Sequence, residues 1–278
     1  MNRKSKKHCS RAFAAAVGAA VFCSSHGAAE SRSPSPQPPA PTHHQAHPAG
    51  RATDLSAKRD VRLKALDPKD FQIKAAKASY QKDLDQYVFS MDVEGEAGKS
   101  IVQAAGSMSG APVLAYVFPT TLKPEAAGFS STEGILALVA AQHPDFDDSP
   151  YFDENRDGNP NNDGATWHTH WVVLMKDSRV KGGLAVKEFK DAKGVVLPPT
   201  APKMAMYMDS PGHPVVLRGS ALHVIVPGYR LQASGGFKFD AVTCYLEVSH
   251  DSNLPMLGVY EVFNILSKDL SLPFALQK

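Results

Sequence analysis

Cysteine is scarce in this 278-residue chain: there are three, and two of them, Cys9 and Cys23, lie near the start. Beyond these only Cys244 remains. No internal disulfide can staple the rest of the chain, so its fold must rest on a packed core. Long apolar runs are also missing; none reaches the roughly 18 residues that a transmembrane helix needs. Basic residues are not in excess after the N-terminal region. Residues 54–278 carry 27 Asp and Glu against 23 Lys and Arg. A mildly acidic body speaks against nucleic acid as a partner, because neutralising phosphates needs clustered Lys and Arg. There is no P-loop, no GxGxxG opening a helix, no HExxH and no CxxC. The segment Gly106-Ser107-Met108-Ser109-Gly110 places Met where a nucleophile elbow needs Ser, so no acyl-transfer serine is indicated.

Residues 1–29 have three parts: a basic start (Arg3, Lys4, Lys6, Lys7, Arg11), an apolar stretch from Ala12 to Cys23, and the small residues Gly27-Ala28-Ala29. This is the layout of a secretory signal peptide cut after Ala29, and it predicts a periplasmic or extracellular protein. Cys23 offers a lipidation site, but Phe22 stands where a small residue is usual. Residues 30–53 are rich in Pro, Ser, Ala and His, with six prolines between Pro34 and Pro48. Such a segment is expected to be a disordered linker. Its His43, His44 and His47 read as incidental rather than metal-capturing. Residues 54–278 are expected to form a single β-rich globular domain.

Short β-type runs dominate that domain. Tyr87 to Val93 alternates apolar and polar residues, whereas Val113 to Phe118 is continuously apolar. Trp167 to Met175, Ala221 to Val226, Val242 to Val248 and Gly258 to Phe263 are further strands, with glycines and prolines between the runs. Gly134 to His143 reads as strand or helix; Ser130 and Glu133 resemble a capping box, which favours helix. Leu63 to Leu84 is equally open. The expected fold is mainly β, a β-sandwich or small barrel with long loops and few short helices.

The strongest chemical signal is the acidic stretch 145–164, DFDDSPYFDENRDGNPNNDG. Oxygen-bearing side chains alternate at Asp153, Asn155 and Asp157, and Gly158 follows. Calcium takes six to eight oxygen ligands, and alternate side chains followed by a sharp turn can converge on one ion. The segment resembles the DxNxDG start of EF-hand and dockerin calcium loops over about twelve residues. The resemblance implies calcium held by Asp153, Asn155 and Asp157, with Asn159 and Asp163 or Asp148 adding contacts. The segment departs from the EF-hand at Pro160 and at Gly164, where the EF-hand has its bidentate Glu. A calcium loop on a β scaffold is the expectation. The alternative is a solvated loop whose Asp and Asn side chains only make turns.

Directly after this loop, Trp167-His168-Thr169-His170-Trp171 opens a strand. Residues two apart share a strand face, so His168 and His170 point the same way and can begin a zinc, copper or iron site. The spacing is similar to the HxH of cupin-type metal sites, but no Glu follows soon after. A third ligand must come from His143, His213, His223, His250 or an acid of the loop. Met204, Met206 and Met208 alternate like a thioether face for Cu(I), yet core packing is the commoner use.

The primary reading is an exported calcium-binding β protein with a binding or structural role rather than a catalytic one. Its expected partners are a metal ion and an unidentified protein or cell-surface ligand. The alternatives are a periplasmic copper- or zinc-binding protein using His168, His170, the Met204–Met208 cluster and the linker histidines, and a cupin-like metal-dependent enzyme built on His168 and His170.

Overall fold

A computed structural model describes residues 50–202, 204–233 and 235–278. The expected signal peptide and nearly all of the expected linker, with Cys9, Cys23 and the three linker histidines, lie outside the described residues. The one α-helix described, α1 (Gly50–Lys64), starts four residues before the expected edge of the linker. Pro48 is the last proline before Pro68, so every backbone N–H through the helix is available to its ladder.

Thirteen strands are described: β1 (Ile73–Gln81), β2 (Gln86–Val93), β3 (Pro112–Pro119), β4 (Ile135–Gln142), β5 (His168–Lys176), β6 (Leu184–Val186), β7 (Met208–Asp209), β8 (Val215–Arg218), β9 (Ala221–Pro227), β10 (Lys238–Phe239), β11 (Val242–Val248), β12 (Leu257–Ile265) and β13 (Phe274–Ala275). The fold is mainly β, as expected. Strands β4, β3, β11, β12, β6 and β5 pair in that order, and β4 pairs back onto β5, closing a six-stranded barrel. The order β1-β2-β9-β8 makes a separate antiparallel sheet. Closure removes the sheet edges that an open arrangement would expose.

The hydrophobic pattern follows from this layering. One core cluster lies between the four-stranded sheet and the outer face of the barrel, joining Phe89 and Met91 of β2 to Tyr116 and Phe118 of β3 and Trp171 of β5. A second lines the barrel interior with smaller side chains, among them Val113, Ala115, Ala141, Val172 and Cys244. Strands β3 and β4 therefore bury both faces and read as unbroken apolar runs. Strands β2 and β9 bury alternate residues only, which is the period-two signal.

The segment 134–143 is a strand, not a helix. It is hydrogen-bonded to β3 on one side and β5 on the other, and the suggested capping box does not form. Ser130 Oγ instead accepts from the Val196 N–H at 3.0 Å. Within Leu63 to Leu84, both expectations hold in part: α1 ends at Lys64, and β1 begins at Ile73.

Candidate metal centre

The register of β4 against β5 builds the site. Val139 faces His170 and Ala141 faces His168 across the pair. Residues of β4 and β5 that point inward line the barrel interior, and His143 continues the inward series Val139, Ala141 just beyond the strand end. The two strands are joined by the acidic loop, which folds back so that Asp148 meets the three imidazoles.

Two contacts fix the loop's path. The carboxylate of Asp145 accepts from the Ala105 and Gly106 amides at 2.8 and 2.6 Å. The His143 N–H donates to the Gly164 carbonyl at 2.7 Å, drawing the two ends of the loop together. Gly164 is required by close approach: a Cβ there would collide with the Phe146 carbonyl oxygen and lie 2.6 Å from that of His143. The Phe146 ring lies on the His143 imidazole, with centroids 4.1 Å apart and planes inclined by 9°.

His143, Asp148, His168 and His170 are all buried, and one ligand atom from each lies within 4.8 Å of the others. Asp148 Oδ1 is 3.5 Å from the Nε2 of His143, 3.5 Å from that of His168 and 3.6 Å from that of His170. Each imidazole is oriented through its other nitrogen. His143 Nδ1 is 3.0 Å from the Phe146 carbonyl, His168 Nδ1 is 2.9 Å from the Thr166 carbonyl, and His170 Nδ1 is 3.1 Å from Ser210 Oγ. Carbonyl oxygens only accept, so Nδ1 of His143 and of His168 carries hydrogen and each neutral Nε2 presents a lone pair. Yet those two Nε2 atoms are 2.9 Å apart. Two facing lone pairs at that distance need a proton or a cation between them. His170 Nε2 and Asp148 Oδ1 are buried without any hydrogen-bond partner. Tetrahedral coordination with bonds of about 2.0–2.1 Å would set neighbouring ligand atoms about 3.3 Å apart, close to the separations from Asp148.

The electrostatics agree. Burial, assisted by the neighbouring imidazoles, pushes His143 down to about 3 and His170 down to about 4, against the attraction of Asp148. Burial also disfavours charge on His168, but the nearby Asp148 carboxylate outweighs that and raises it. Burial alone would raise Asp148; the surrounding imidazoles hold it well below the usual carboxylate range. The site therefore offers two neutral imidazoles and an ionised carboxylate, and a cation bound by all three imidazoles would displace the proton that His168 favours.

Of the expected site residues, the structure brings His168 and His170 into this group and leaves the others out. Asp153 accepts from the Asp157 and Gly158 amides at 3.1 and 2.8 Å, Asn155 from Asp157 at 2.9 Å, and Asp157 from Asn159 at 2.8 Å. Asn159 accepts from the Asn161 amide at 3.2 Å. Oxygens expected to surround calcium thus satisfy the amides of their own turns, at an exposed bend. Asp163 is buried, but its Oδ1 accepts from the Asn155 amide at 2.8 Å. Calcium gains no support from Asp153, Asn155 and Asp157, whose side-chain oxygens accept from backbone N–H groups of the loop. Three imidazoles and one carboxylate are also the wrong donors for an ion that wants oxygen.

His143 and Asp148 were among the candidates for completing a site. His213 was too, but it accepts from Trp171 Nε1 at 3.3 Å, while His223 pairs with Ser90 at 2.8 Å on the outer sheet. Met206 and Met208 are buried in the barrel core, the packing role rather than a copper face. Cys244 is buried as well, and burial pushes its thiol up to about 12, so it is an inert wall of the interior. No protein-family model, curated protein or solved structure matches this chain.

Proposed function

We propose that this chain is a metalloprotein whose buried centre holds one divalent first-row transition ion through Nε2 of His143, His168 and His170 and a carboxylate oxygen of Asp148. The observation that carries the reading is the convergence of four buried donors, two of them without any protein partner, with all three imidazoles oriented from behind. Three nitrogens and one oxygen suit zinc, iron(II), cobalt or manganese better than a hard ion. The test is elemental analysis of purified protein after reconstitution with each metal. One equivalent bound by the wild type and none by the His168→Ala/His170→Ala variant is the expected result. No binding by the wild type, or equal binding by both, would refute it.

A cupin-like metal-dependent enzyme is the second reading. It is favoured by His143, Asp148 and His170 lining an interior cavity, so that a six-coordinate ion would have open positions facing it. Calcium in the acidic loop is the third. Both carboxylate oxygens of Glu154 and Oδ2 of Asp163 are buried without partners, which favours a hard cation near them. Calcium-dependent melting that is lost in Glu154→Gln would support it. The N-terminal pattern of residues 1–29 supports a site of action outside the cytoplasm, and cleavage after Ala29 would be read by N-terminal sequencing of secreted protein.

A further inference from the structure

The barrel is not filled. A cavity of about 60 Å³ lies within it. Its wall includes Val113, Ala115, Val139, Val172 and Val259 from four strands. Its polar side chains are His143, Asp148 and His170. These belong to the metal centre, and two of them carry the unpartnered atoms His170 Nε2 and Asp148 Oδ1. Leu270 also lines the cavity; it is half-buried and held at φ 59°, between Lys268 at 74° and Leu272 at 55°. Three left-handed non-glycine residues so close together are uncommon, and such strain gathers where a segment must hold an unusual path.

Close-packed interiors have few voids larger than a water molecule, so a retained cavity of this size sets a limit on its guest. Away from the metal end, water gains nothing from a wall that offers no donor or acceptor, and apolar cavities stay dry while admitting xenon or small hydrocarbons. A charged or strongly polar guest would lose its hydration with no compensating bond except at the metal end. A volume of about 60 Å³ excludes drug-sized molecules. What fits is a small uncharged molecule of two or three heavy atoms.

We propose that the barrel interior is a binding chamber for a small apolar molecule, of the size of dioxygen, and that it presents this guest to the inner side of the metal centre. The proposal rests on the metal reading above only for its second half. The chamber belongs to the protein walls and exists without the ion. Ala115 lines it from β3 and is separated from His168 by Ala141 of β4, so Ala115→Val occupies the space with two methyl groups. Val139→Ala enlarges it.

Two experiments test this. Xenon is titrated into metal-free and zinc-loaded protein while methyl chemical shifts of Val113, Val139 and Val172 are followed. Saturable shifts in both forms are expected. Binding should be at least tenfold weaker in Ala115→Val and tighter in Val139→Ala, with the Val113 and Val172 methyls reporting in that variant. No saturable shift in the wild type, or unchanged binding in Ala115→Val that retains the wild-type fold, overturns the chamber. If Ala115→Val fails to fold, tighter xenon binding by Val139→Ala supports the chamber, and unchanged or weaker binding overturns it. In the second experiment nitric oxide is added to iron(II)-loaded protein and the iron–nitrosyl signal is followed by electron paramagnetic resonance. A signal that forms at least tenfold more slowly in Ala115→Val, at equal iron content, supports presentation to the metal; equal rates overturn it. Xenon binding by a protein that takes up no metal would leave the chamber standing and remove the metal reading alone.

Discussion

An ion held by the proposed centre should supply a large part of this protein's thermal stability. Without a cation, Asp148 Oδ1 and His170 Nε2 are buried and unpartnered. Each such group costs about 1–3 kcal/mol, so a bound ion relieves about 2–6 kcal/mol. Linkage gives a similar size independently: free metal at 1,000 times Kd stabilises the native state by about 4.1 kcal/mol. For a domain of about 150–250 residues, each kcal/mol shifts Tm by about 2–4 °C, so the expected difference is about 8–16 °C. The assay is differential scanning calorimetry of chelator-stripped protein against protein reconstituted with zinc, cobalt, manganese or iron(II). Asp148→Asn keeps the shape of the side chain but gives up the charge, and should lose more than half of the shift. The reasoning fails if no metal moves Tm by more than about 2 °C, or if the His168→Ala/His170→Ala variant shows the wild-type shift.

Three further outcomes are expected. Gly164→Ala should destabilise the protein by about 3 kcal/mol and weaken metal binding, because the added methyl displaces the loop from Phe146 and His143; urea unfolding and metal titration read both. Asp145→Ala should cost about 1–3 kcal/mol in urea unfolding through the amides of Ala105 and Gly106, while metal stoichiometry stays at one. His213 is pushed down to about 3 by burial and, secondarily, by Arg230, against an ordinary value of 6.5. Its neutral form is the one the fold favours. Its stabilising contribution is complete above pH 6.5 and is lost at about 1.4 kcal/mol per unit as pH falls toward 3. Between pH 6.5 and 5, metal-free wild type should therefore lose about 2 kcal/mol more than His213→Gln, as read by urea midpoints; parallel losses would refute this assignment.

Much of the fold was legible because its strands announce how many faces they bury. The alternation in Tyr87–Val93 marks a one-sided strand, and the unbroken run Val113–Phe118 marks a strand with core on both sides. The same double burial hid β4, since a short apolar run with no period looks like either element, and a Ser–Glu pair three apart tipped the reading toward helix. That ambiguity also concealed the site. Once β4 is a strand antiparallel to β5, His143 must emerge beside His168, and the loop between them must turn back over both. The HxH pair was readable from spacing alone, and its shared face holds. Asp148 carried no local signal beyond its place among seven acids. The calcium-like hexapeptide reads two ways because the residues that hold calcium at alternate positions are also those that build successive Asx turns. Sequence spacing does not distinguish an oxygen aimed at an ion from one aimed at an amide two residues on.

All four donors come from one stretch of chain, His143 to His170, and that stretch joins the two strands whose pairing shuts the barrel. An ion bound there would act as a rivet through the seam. It would join stave to stave and hold down the strap that connects them, so opening the cylinder at this edge would first require the rivet to be drawn.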